Sequence, residues 1–309
     1  MSLWPEDQEA LREEARQLAG AIAEMFVGDM AVAAGTDTAT RVAKQREMMA
    51  AMETDHPAGA DEEIAGVPCR VFRRPQPRGT YLHFHGGAMI LGSPRMNDVA
   101  NGEISERLDV DVVSVDYRLA PEHPFPAGSD DCLAVAAAVI GSSSGPVVVG
   151  GESAGGYFAA LTLLRIRDEL GAIGRVSGAN LVFGVYDLSG TPSNRGARPS
   201  DVKDILEDDT ADFVLESYLP GRSREDARDP SVSPLYAGMK DMPRALFTVG
   251  SADHLLDDSL FLHQRWLAYG GESELAVYPD CVHGFNGFPM GLAKLANGRI
   301  EVFLDKCFS

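Results

Sequence analysis

The chain has 309 residues, of which 45% are hydrophobic and 24% are charged, and its formal net charge at pH 7 is -19. This length and apolar content suffice for a substantial core, in one large α/β domain or two small ones. The longest apolar stretch, residues 133–141, is well short of the roughly 18 residues that a membrane span needs. The negative charge repels phosphate backbones and anionic lipids, so neither nucleic acid nor a membrane is an expected partner.

The cysteines and the first residues bear on the compartment. The four cysteines, Cys69, Cys132, Cys281 and Cys307, are widely spaced, with no C-x-x-C pair and no nearby cluster of histidines. We therefore expect reduced, structural thiols and no bound metal. The opening MSLWPEDQEALREEARQ has acidic residues where a secretory signal needs basic ones, so we expect a cytoplasmic protein.

The first 55 residues have a helical pattern. Apolar residues recur at three- and four-residue spacing and predict one amphipathic helix, at Leu11, Ala15, Leu18, Ile22 and Met25. Compatible spacing predicts a second helix, at Val42, Gln45, Met49 and Met52, to which Met48 adds flexible apolar bulk. Residues 1–55 are therefore predicted to form an N-terminal helical segment.

From residue 80 onward, short apolar runs alternate with helical patterns. The runs TYLHFH, DVVSVDY, PVVVGG, GANLVFGV, RALFTVG and ELAVYP predict strands that helices cover on both faces. Helices are predicted over residues 129–140, 154–170 and 257–269, and CRVF at 69–72 is predicted to be an antiparallel edge. This alternation is typical of βαβ units, so the fold class is α/β with a mostly parallel central sheet.

Residues 189–240 interrupt this alternation. Polar stretches rich in proline and glycine flank a short predicted helix at 209–218, and such insertions lie outside a core. We expect residues 189–240 and 1–55 to form a helical cap over the end of the sheet, with 56–309 as the catalytic domain that carries the insertion. The alternative is that both segments are peripheral packing.

Ser153 lies in the sequence VVVGGESAGGY, between a predicted strand and a predicted helix. One interpretation is a tight strand-to-helix turn that needs glycine for its backbone freedom. The other is a strained elbow that exposes a nucleophilic hydroxyl at the carboxyl end of the strand, where open α/β sheets bind ligands. A serine nucleophile also needs a base and an orienting carboxylate, so the rest of the chain decides between them.

Two residues that follow predicted strands supply these groups. His283 follows the last strand, whereas His263 falls within a predicted helix and His56 in a polar linker. Asp253 stands three residues past the strand that ends at Gly250, while Asp257 and Asp258 have the position of helix-start residues. The order Ser153, Asp253, His283 is the order of α/β-hydrolase triads.

A glycine pair after the first long strand completes the constellation. In HFHGGAMILGS, Gly86 and Gly87 allow the backbone to approach a substrate closely. Their N–H groups, with that of Ala154, are predicted to form an oxyanion hole. Alone, this segment would be interpreted as a glycine-rich turn.

Five motifs together resemble the hormone-sensitive-lipase-like (bacterial family IV) carboxylesterases of the α/β-hydrolase superfamily: HGGA at 85–88, DYRLAPEHPFPA at 116–127, GESAGG at 151–156, SADHLLDD at 251–258 and HGF at 283–285. The resemblance implies an α/β-hydrolase fold and a serine carboxylesterase without metal or cofactor. Its expected partner is a small-molecule ester of short to medium chain length, hydrolysed through an acyl-enzyme. Ser153 is implied as nucleophile, His283 as base and Asp253 as its orienter, with Gly86, Gly87 and Ala154 as the oxyanion hole.

The chain departs from the family pattern at two positions. Ala88 stands where H-G-G-G has its last glycine, and Glu152 replaces the aspartate of G-D-S-A-G-G. Ala88 adds a Cβ to the loop, and the longer Glu152 must shift any hydrogen bond to it. In the neighbouring motif, Arg118 and Glu122 are predicted to form an ion pair, and His123 is interpreted as structural.

The substrate pocket and the oligomeric state rest on weaker signals. The large apolar side chains of the cap segments are predicted to line the pocket: Met48, Met49, Met52, Phe213 and Tyr218. The ELAVYP strand is a candidate edge for a homodimer. Alternatives on the same triad are an amidase, a deacetylase, a lactonase or a peptidase, and a non-catalytic small-molecule receptor of the same fold is a further alternative.

Overall fold

The computed structural model describes residues 9–30, 37–197, 200, 202, 204 and 210–309, with the backbone alone at 22–30 and 52. Within this part of the chain, eight strands form one sheet in the order β1-β2-β4-β3-β5-β6-β7-β8. The strands are β1 (Ala60–Ile64), β2 (Val67–Phe72), β3 (Thr80–Phe84), β4 (Asp111–Val115), β5 (Val147–Glu152), β6 (Val176–Val182), β7 (Ala245–Gly250) and β8 (Ser273–Tyr278). The six strands from β3 to β8 pair in parallel.

The first two strands run the other way. β1 and β2 form an antiparallel hairpin, and β2 then pairs antiparallel with β4, with Cys69 opposite Val115. The antiparallel position predicted for residues 69–72 is therefore confirmed. The true edge on this side is β1, whose exposed, acidic residues gave no strand signal in the sequence.

Helices cover both faces of the sheet, as the apolar strands predict. They are α1 (Glu9–Met30), α2 (Thr38–Met52), α3 (Asp98–Leu108), α4 (Ala127–Ser142), α5 (Ala154–Asp168), α6 (Thr210–Tyr218), α7 (Leu256–Ala268) and α8 (Gly291–Cys307). Side chains of β5 alternate between the two cores: Val147 and Val149 join one cluster and Val148 joins the other. The sheet therefore separates two apolar layers.

The helices of the two predicted cap segments have different neighbours. In α1, Arg12 forms an ion pair with Asp280, and Glu14 accepts a hydrogen bond from the backbone of Gly291 at the start of α8. In α2, the Arg41 guanidinium lies over the Phe213 ring of α6, 4.3 Å from its centroid. Within the described part of the chain, this contact joins α2 to the helix of the 189–240 insertion.

One local expectation is wrong. Arg118 does not pair with Glu122; its guanidinium binds both oxygens of Asp131 in α4, and Glu122 pairs with Arg46 of α2. Asp257 and Asp258 lie in the first turn of α7, as predicted. The buried carboxylate of Asp258 also accepts the backbone N–H groups of Tyr186 and Asp187, in the loop after β6. The difference at Arg118 arises because the loop after β4 folds back onto α4, the helix that follows it.

Candidate active site

Ser153 lies in a strained turn between β5 and α5. Its φ of 56° and ψ of -118° fall where side chains with a Cβ are rarely found. The strand ends at Glu152 and the helix begins at Ala154, so the serine stands at the carboxyl edge of the sheet and at a helix N-terminus. This is the backbone geometry that a nucleophile elbow requires.

The glycines around Ser153 are needed for a close approach to the neighbouring strand. A Cβ added at Gly151 or at Gly155 would collide with the carbonyl oxygen of Phe84, the last residue of β3. A Cβ on Gly151 would also meet the backbone of Gly155. The turn crosses so near β3 that only glycine fits on either side of the serine.

Three predicted side chains form one hydrogen-bonded line. Nε2 of His283 lies 2.9 Å from Ser153 Oγ. Nδ1 lies 3.0 and 3.1 Å from the two carboxylate oxygens of Asp253. With Nδ1–H donating to the carboxylate, Nε2 is free to accept the proton of the serine hydroxyl.

The surroundings of His283 favour its protonated form. Burial opposes a charge on the imidazole, but the Asp253 carboxylate, through its charge and hydrogen bond, and the nearby Asp204 together raise the pKa of His283 above its usual value. The Phe183 ring packs edge-on against the imidazole at 4.7 Å. The imidazole thus packs against an apolar ring, and two carboxylates stabilise its protonated form.

The predicted oxyanion loop lies beside the elbow. A Cβ added at Gly86 would stand 3.6 Å from Cβ of Ser153. Among the described residues, the N–H groups of Gly86 and Gly87 donate no hydrogen bond to another protein group, and Ala154, as the first residue of α5, has no carbonyl partner within its helix. The residues predicted to form the oxyanion hole thus lie in the loop beside the elbow and at the start of α5.

The loop accommodates Ala88 at a cost in backbone conformation. Ala88 has a φ of 55° and Met89 a φ of 61°, in the left-handed region that costs an L-residue roughly 1–2 kcal/mol. The turn is closed by the carbonyl of Gly87, which accepts the N–H groups of Ile90 and Leu91. The departure from H-G-G-G is therefore tolerated, and the alanine side chain lines the cavity described below.

Two buried histidines that the sequence analysis left out support this loop. His85 stacks on Tyr117 with ring centroids 4.2 Å apart, and its Nδ1–H donates to the carbonyl of Gly86. Its pKa is lowered to about 3 by burial, so the ring is neutral. His83 in β3 bonds through Nε2 to Glu152 at 2.8 Å. In the sequence, the motif HFH was the available signal for these two residues, because His83 and His85 stand on either side of Phe84, the last residue of β3.

A further carboxylate ties the histidine loop to the aspartate loop. Asp204, from the insertion, accepts the backbone N–H of His254 and the backbone N–H of His283. Its Oδ2 also lies 2.6 Å from Nδ1 of His254. No local pattern in the sequence marks Asp204, because its partners lie 50 and 79 residues away.

Two cavities meet at Ser153. The larger, of about 730 Å³, extends past Gly86, Gly87 and His283 to α2 and α6. The smaller, of about 60 Å³, lies between Ser153, His254 and the start of α6. The serine hydroxyl is therefore accessible from two sides.

The predicted pocket residues divide between cavity and core. Met49 and Phe213 line the larger cavity, whereas half-buried Met48 is not part of its described lining. Tyr218 is buried in the core, where its ring packs edge-on against Tyr157 and Phe158. The side chain of Met52 lies outside the described residues. Tyr218 lies on the inner face of α6, so its large side chain fills the core and does not line the larger cavity.

The described residues contain neither a cluster of metal ligands nor a helix that could span a membrane. In the described part of the chain, no group of three or more histidine, cysteine or acidic side chains is arranged to hold a metal ion. All four cysteines are buried and unpaired. None of the described helices combines the length and the apolar character needed to cross a membrane.

The sheet order and the elbow at its carboxyl edge define an α/β-hydrolase fold. The chain matches the family described as alpha/beta hydrolase fold over residues 81–287, and it belongs to this family. Within it, the chain is a hormone-sensitive-lipase-like protein of bacterial family IV, as the motifs predicted.

Individual relatives cover most of the chain. The carboxylesterase NlhH of Mycobacterium tuberculosis is 32% identical over 253 residues, which span 76% of this chain and 77% of that protein. The solved structure of a hormone-sensitive lipase from a metagenome library has a TM-score of 0.81 at 27% identity and covers 96% of this chain and 98% of its own. The solved structure of EstE5, whose crystal was soaked with p-nitrophenyl butyrate, has a TM-score of 0.80 at 28% identity and covers 96% of this chain and 98% of its own.

Proposed function

We propose that this protein is a serine carboxylesterase that hydrolyses short- to medium-chain carboxylic esters through an acyl-enzyme. The observation that carries the proposal is the unbroken line from Ser153 Oγ through His283 to Asp253, with hydrogen-bond distances of 2.9 to 3.1 Å. The relationship to a carboxylesterase and to esterases of known structure supports the ester as the substrate class.

The first half of the proposed reaction forms the acyl-enzyme. Ser153 Oγ attacks the ester carbonyl carbon while Nε2 of His283 takes the hydroxyl proton. The N–H groups of Gly86, Gly87 and Ala154 stabilise the oxyanion that develops on the carbonyl oxygen. When the carbonyl re-forms, the bond to the alcohol oxygen breaks, and the imidazolium returns its proton to the departing alcohol.

The second half repeats these steps with water. Nε2 of His283 accepts a proton from a water molecule that attacks the acyl carbon, and the bond to Ser153 Oγ breaks as the carboxylic acid leaves. The proton then returns to the serine. Throughout, Asp253 fixes the imidazole with Nδ1 protonated and stabilises its positive charge, which its complete burial makes effective.

The two cavities suggest where the acyl part and the alcohol part of the ester bind. His283 must protonate the alcohol oxygen, and it lines the larger cavity. The described lining of the smaller pocket includes Ser153 and Val185 but not His283. We therefore assign the alcohol to the larger cavity and the acyl chain to the smaller pocket, whose volume of about 60 Å³ favours short acyl groups.

The cap belongs to the same proposal. Residues 1–55 and 189–240 form the cap over the catalytic domain of residues 56–309. The contact between Arg41 and Phe213, both of which line the larger cavity, supports this division for α2 and α6. In this account the cap segments determine the alcohol that enters.

Hydrolysis of p-nitrophenyl esters from acetate to palmitate tests the proposal. We expect kcat/KM to peak at short acyl chains and to fall as the chain exceeds the smaller pocket. In Asp253→Asn the imidazole loses its orienting charge, and kcat should fall by roughly 10⁴, the loss seen when a serine protease loses its aspartate charge. A folded wild-type protein that hydrolyses none of these esters would contradict the proposal.

A further inference from the structure

The contacts of Asp204 join three parts of the site that are remote in sequence. The residue lies in the insertion at 189–240, which is predicted to form the cap. Oδ1 accepts the backbone N–H of His283 at 2.9 Å, and Oδ2 accepts the backbone N–H of His254 at 2.8 Å. Because His254 directly follows Asp253, one carboxylate holds the backbone of both the histidine loop and the aspartate loop.

The side chain of His254 completes the arrangement. Its Nδ1 lies 2.6 Å from Oδ2 of Asp204, and both side chains are almost fully buried, with 4% and 0% exposed. Nδ1–H donates to the carboxylate, so the oxygen that accepts the backbone N–H of His254 also accepts its ring N–H. A carboxylate that accepts several such donors is fixed in both position and orientation.

The charge of Asp204 is retained in spite of burial. Burial opposes ionisation, but the side-chain hydrogen bond from His254, the charge of His283 and the two backbone N–H groups hold the pKa of Asp204 below its usual value. Asp204 therefore carries a negative charge at neutral pH, in a buried place behind the catalytic imidazole. Among the described residues, the side chains whose charge raises the pKa of His283 are Asp253, on Nδ1, and Asp204, beside its backbone.

We infer that Asp204, held by His254, is a positioning residue that sets the separation of Asp253 and His283 and links the insertion to the triad. It does not touch the reacting atoms: it acts through the backbone of the two loops that carry the acid and the base. An insertion that supplies this carboxylate makes assembly of the triad depend on correct docking of the insertion. The inference rests on the proposed function only for its kinetic readout.

Asp204→Asn is the principal test variant. An amide has one oxygen where the carboxylate has two, so it cannot accept the N–H groups of both His283 and His254 in this geometry. A displacement of about 1 Å at a catalytic centre can reduce the rate by roughly 10²-fold, so we expect kcat to fall about 10- to 100-fold. Asp98→Asn is the matched control, since Asp98 is a buried carboxylate that accepts a backbone N–H from His56 and binds Arg70, and neither partner belongs to the triad.

The pH profile separates positioning from general destabilisation. Catalysis needs neutral His283, so the acid limb of kcat/KM reports the pKa of this group in the free enzyme. Loss of the Asp204 charge should move that limb to lower pH in Asp204→Asn, while Asp98→Asn keeps the wild-type limb and kcat even if its melting temperature falls. A wild-type kcat with an unmoved limb in Asp204→Asn, or the same kcat loss in Asp98→Asn, would overturn the inference.

Two His254 variants keep the test decisive if Asp204→Asn fails to fold. His254→Asn places an amide N–H where the ring carries Nδ1–H, and its acid limb should stay at the wild-type pH. His254→Leu has no donor, and its acid limb should shift as that of Asp204→Asn is expected to do. Because His254 also lines the smaller pocket, either substitution changes substrate binding, so the two variants are compared by the acid limb and not by kcat. Equal acid limbs in the two His254 variants would overturn the role of this hydrogen bond.

A readout independent of turnover distinguishes this inference from the proposed function. Titration of the full chain with ¹⁵N-labelled histidine, followed by NMR, gives the pKa of His283 directly. A lower pKa in Asp204→Asn than in the wild type supports the inference even if no ester is hydrolysed, in which case only the proposed function fails. An unchanged pKa overturns it even if the wild type is an active esterase.

Discussion

Oε2 of Glu152 lies 2.8 Å from Nε2 of His83, and Nδ1 of the same ring lies 2.8 Å from Ser114 Oγ. This chain of polar groups crosses three neighbouring strands, β5, β3 and β4, just below the edge where Ser153 stands. It connects the residue before the serine to the strand that leads into the glycine loop. The longer side chain of Glu152, compared with the aspartate of related motifs, therefore has a partner of its own.

Replacement of Glu152 should separate its hydrogen bond from its charge. Glu152→Gln keeps an oxygen that accepts Nε2–H of His83, and we expect near-wild-type stability. Glu152→Leu leaves a buried donor unpaired, which costs roughly 1–3 kcal/mol in free energy of unfolding and should also lower kcat through the glycine loop. Urea unfolding and ester hydrolysis measure both effects; a Leu variant as stable as the Gln variant would disprove the role of this bond.

Gly87 should tolerate no side chain. Its φ is 118°, and an added Cβ would collide with the carbonyl oxygen of Leu91. Gly87→Ala should displace an oxyanion donor, and loss of one donor typically reduces kcat by about 10²–10³. Gly66→Ala is the control, because Gly66 has a φ of 81° and open space around it. This variant should lose stability but keep the wild-type kcat. An unchanged kcat in Gly87→Ala would remove this loop from the oxyanion hole.

Met48 and Met49, which are consecutive in α2, provide a matched pair of variants that tests the alcohol site. Met49 lines the larger cavity and Met48 does not belong to its described lining. Met49→Ala should lower kcat/KM for esters of bulky alcohols about tenfold, since loss of a few apolar atoms costs roughly 1–3 kcal/mol, and should spare methyl esters. Met48→Ala should leave both substrates unchanged. If the two variants behave alike, α2 does not contact the alcohol.

His85 should make folding sensitive to acid. Burial lowers its pKa from 6.5 to about 3, so between these values the unfolded chain binds a proton that the folded chain excludes. The stability contributed by neutral His85 is therefore complete above about pH 6.5 and is lost as the pH falls, by about 1.4 kcal/mol per pH unit.

The asparagine variant isolates this contribution. His85→Asn retains an N–H donor toward the carbonyl of Gly86 but does not titrate. Urea unfolding between pH 7 and pH 4.5 should show the wild-type free energy of unfolding falling more steeply than that of His85→Asn. Parallel curves for the two proteins would contradict the assignment of a neutral, buried His85.

The sequence predicted the sheet well because its strands are continuous apolar runs, and it predicted helices where they connect those runs. It missed α3, whose buried positions include the polar Asp98, Asn101 and Ser105, so the apolar periodicity is weak. It left α8 unassigned although Leu292, Ala296 and Ile300 recur at four-residue spacing. This spacing is recognisable in the sequence, but α8 does not connect two strands, so the alternation of strands and helices did not predict it.

At the candidate site, a topological rule explains why the three predicted side chains lie within hydrogen-bond distance of one another. Ser153, Asp253 and His283 each follow a strand, and the carboxyl ends of parallel strands meet at one edge of the sheet. Asp204 lies in an irregular insertion, where no such rule places a side chain. The error at Arg118 has the same origin: sequence proximity favoured Glu122, whereas the fold brings Asp131 of α4 to the guanidinium.

The central claim is that Ser153 is the nucleophile, and covalent labelling tests it most directly. Wild type and Ser153→Ala are incubated with diethyl p-nitrophenyl phosphate, analysed by intact and peptide mass spectrometry, and assayed on p-nitrophenyl butyrate. We predict one diethylphosphoryl group on Ser153 of the wild type with complete loss of hydrolysis. Ser153→Ala should remain unlabelled and folded, with kcat reduced by at least about 10⁴. Label on another residue, or hydrolysis that survives in Ser153→Ala, would contradict the account.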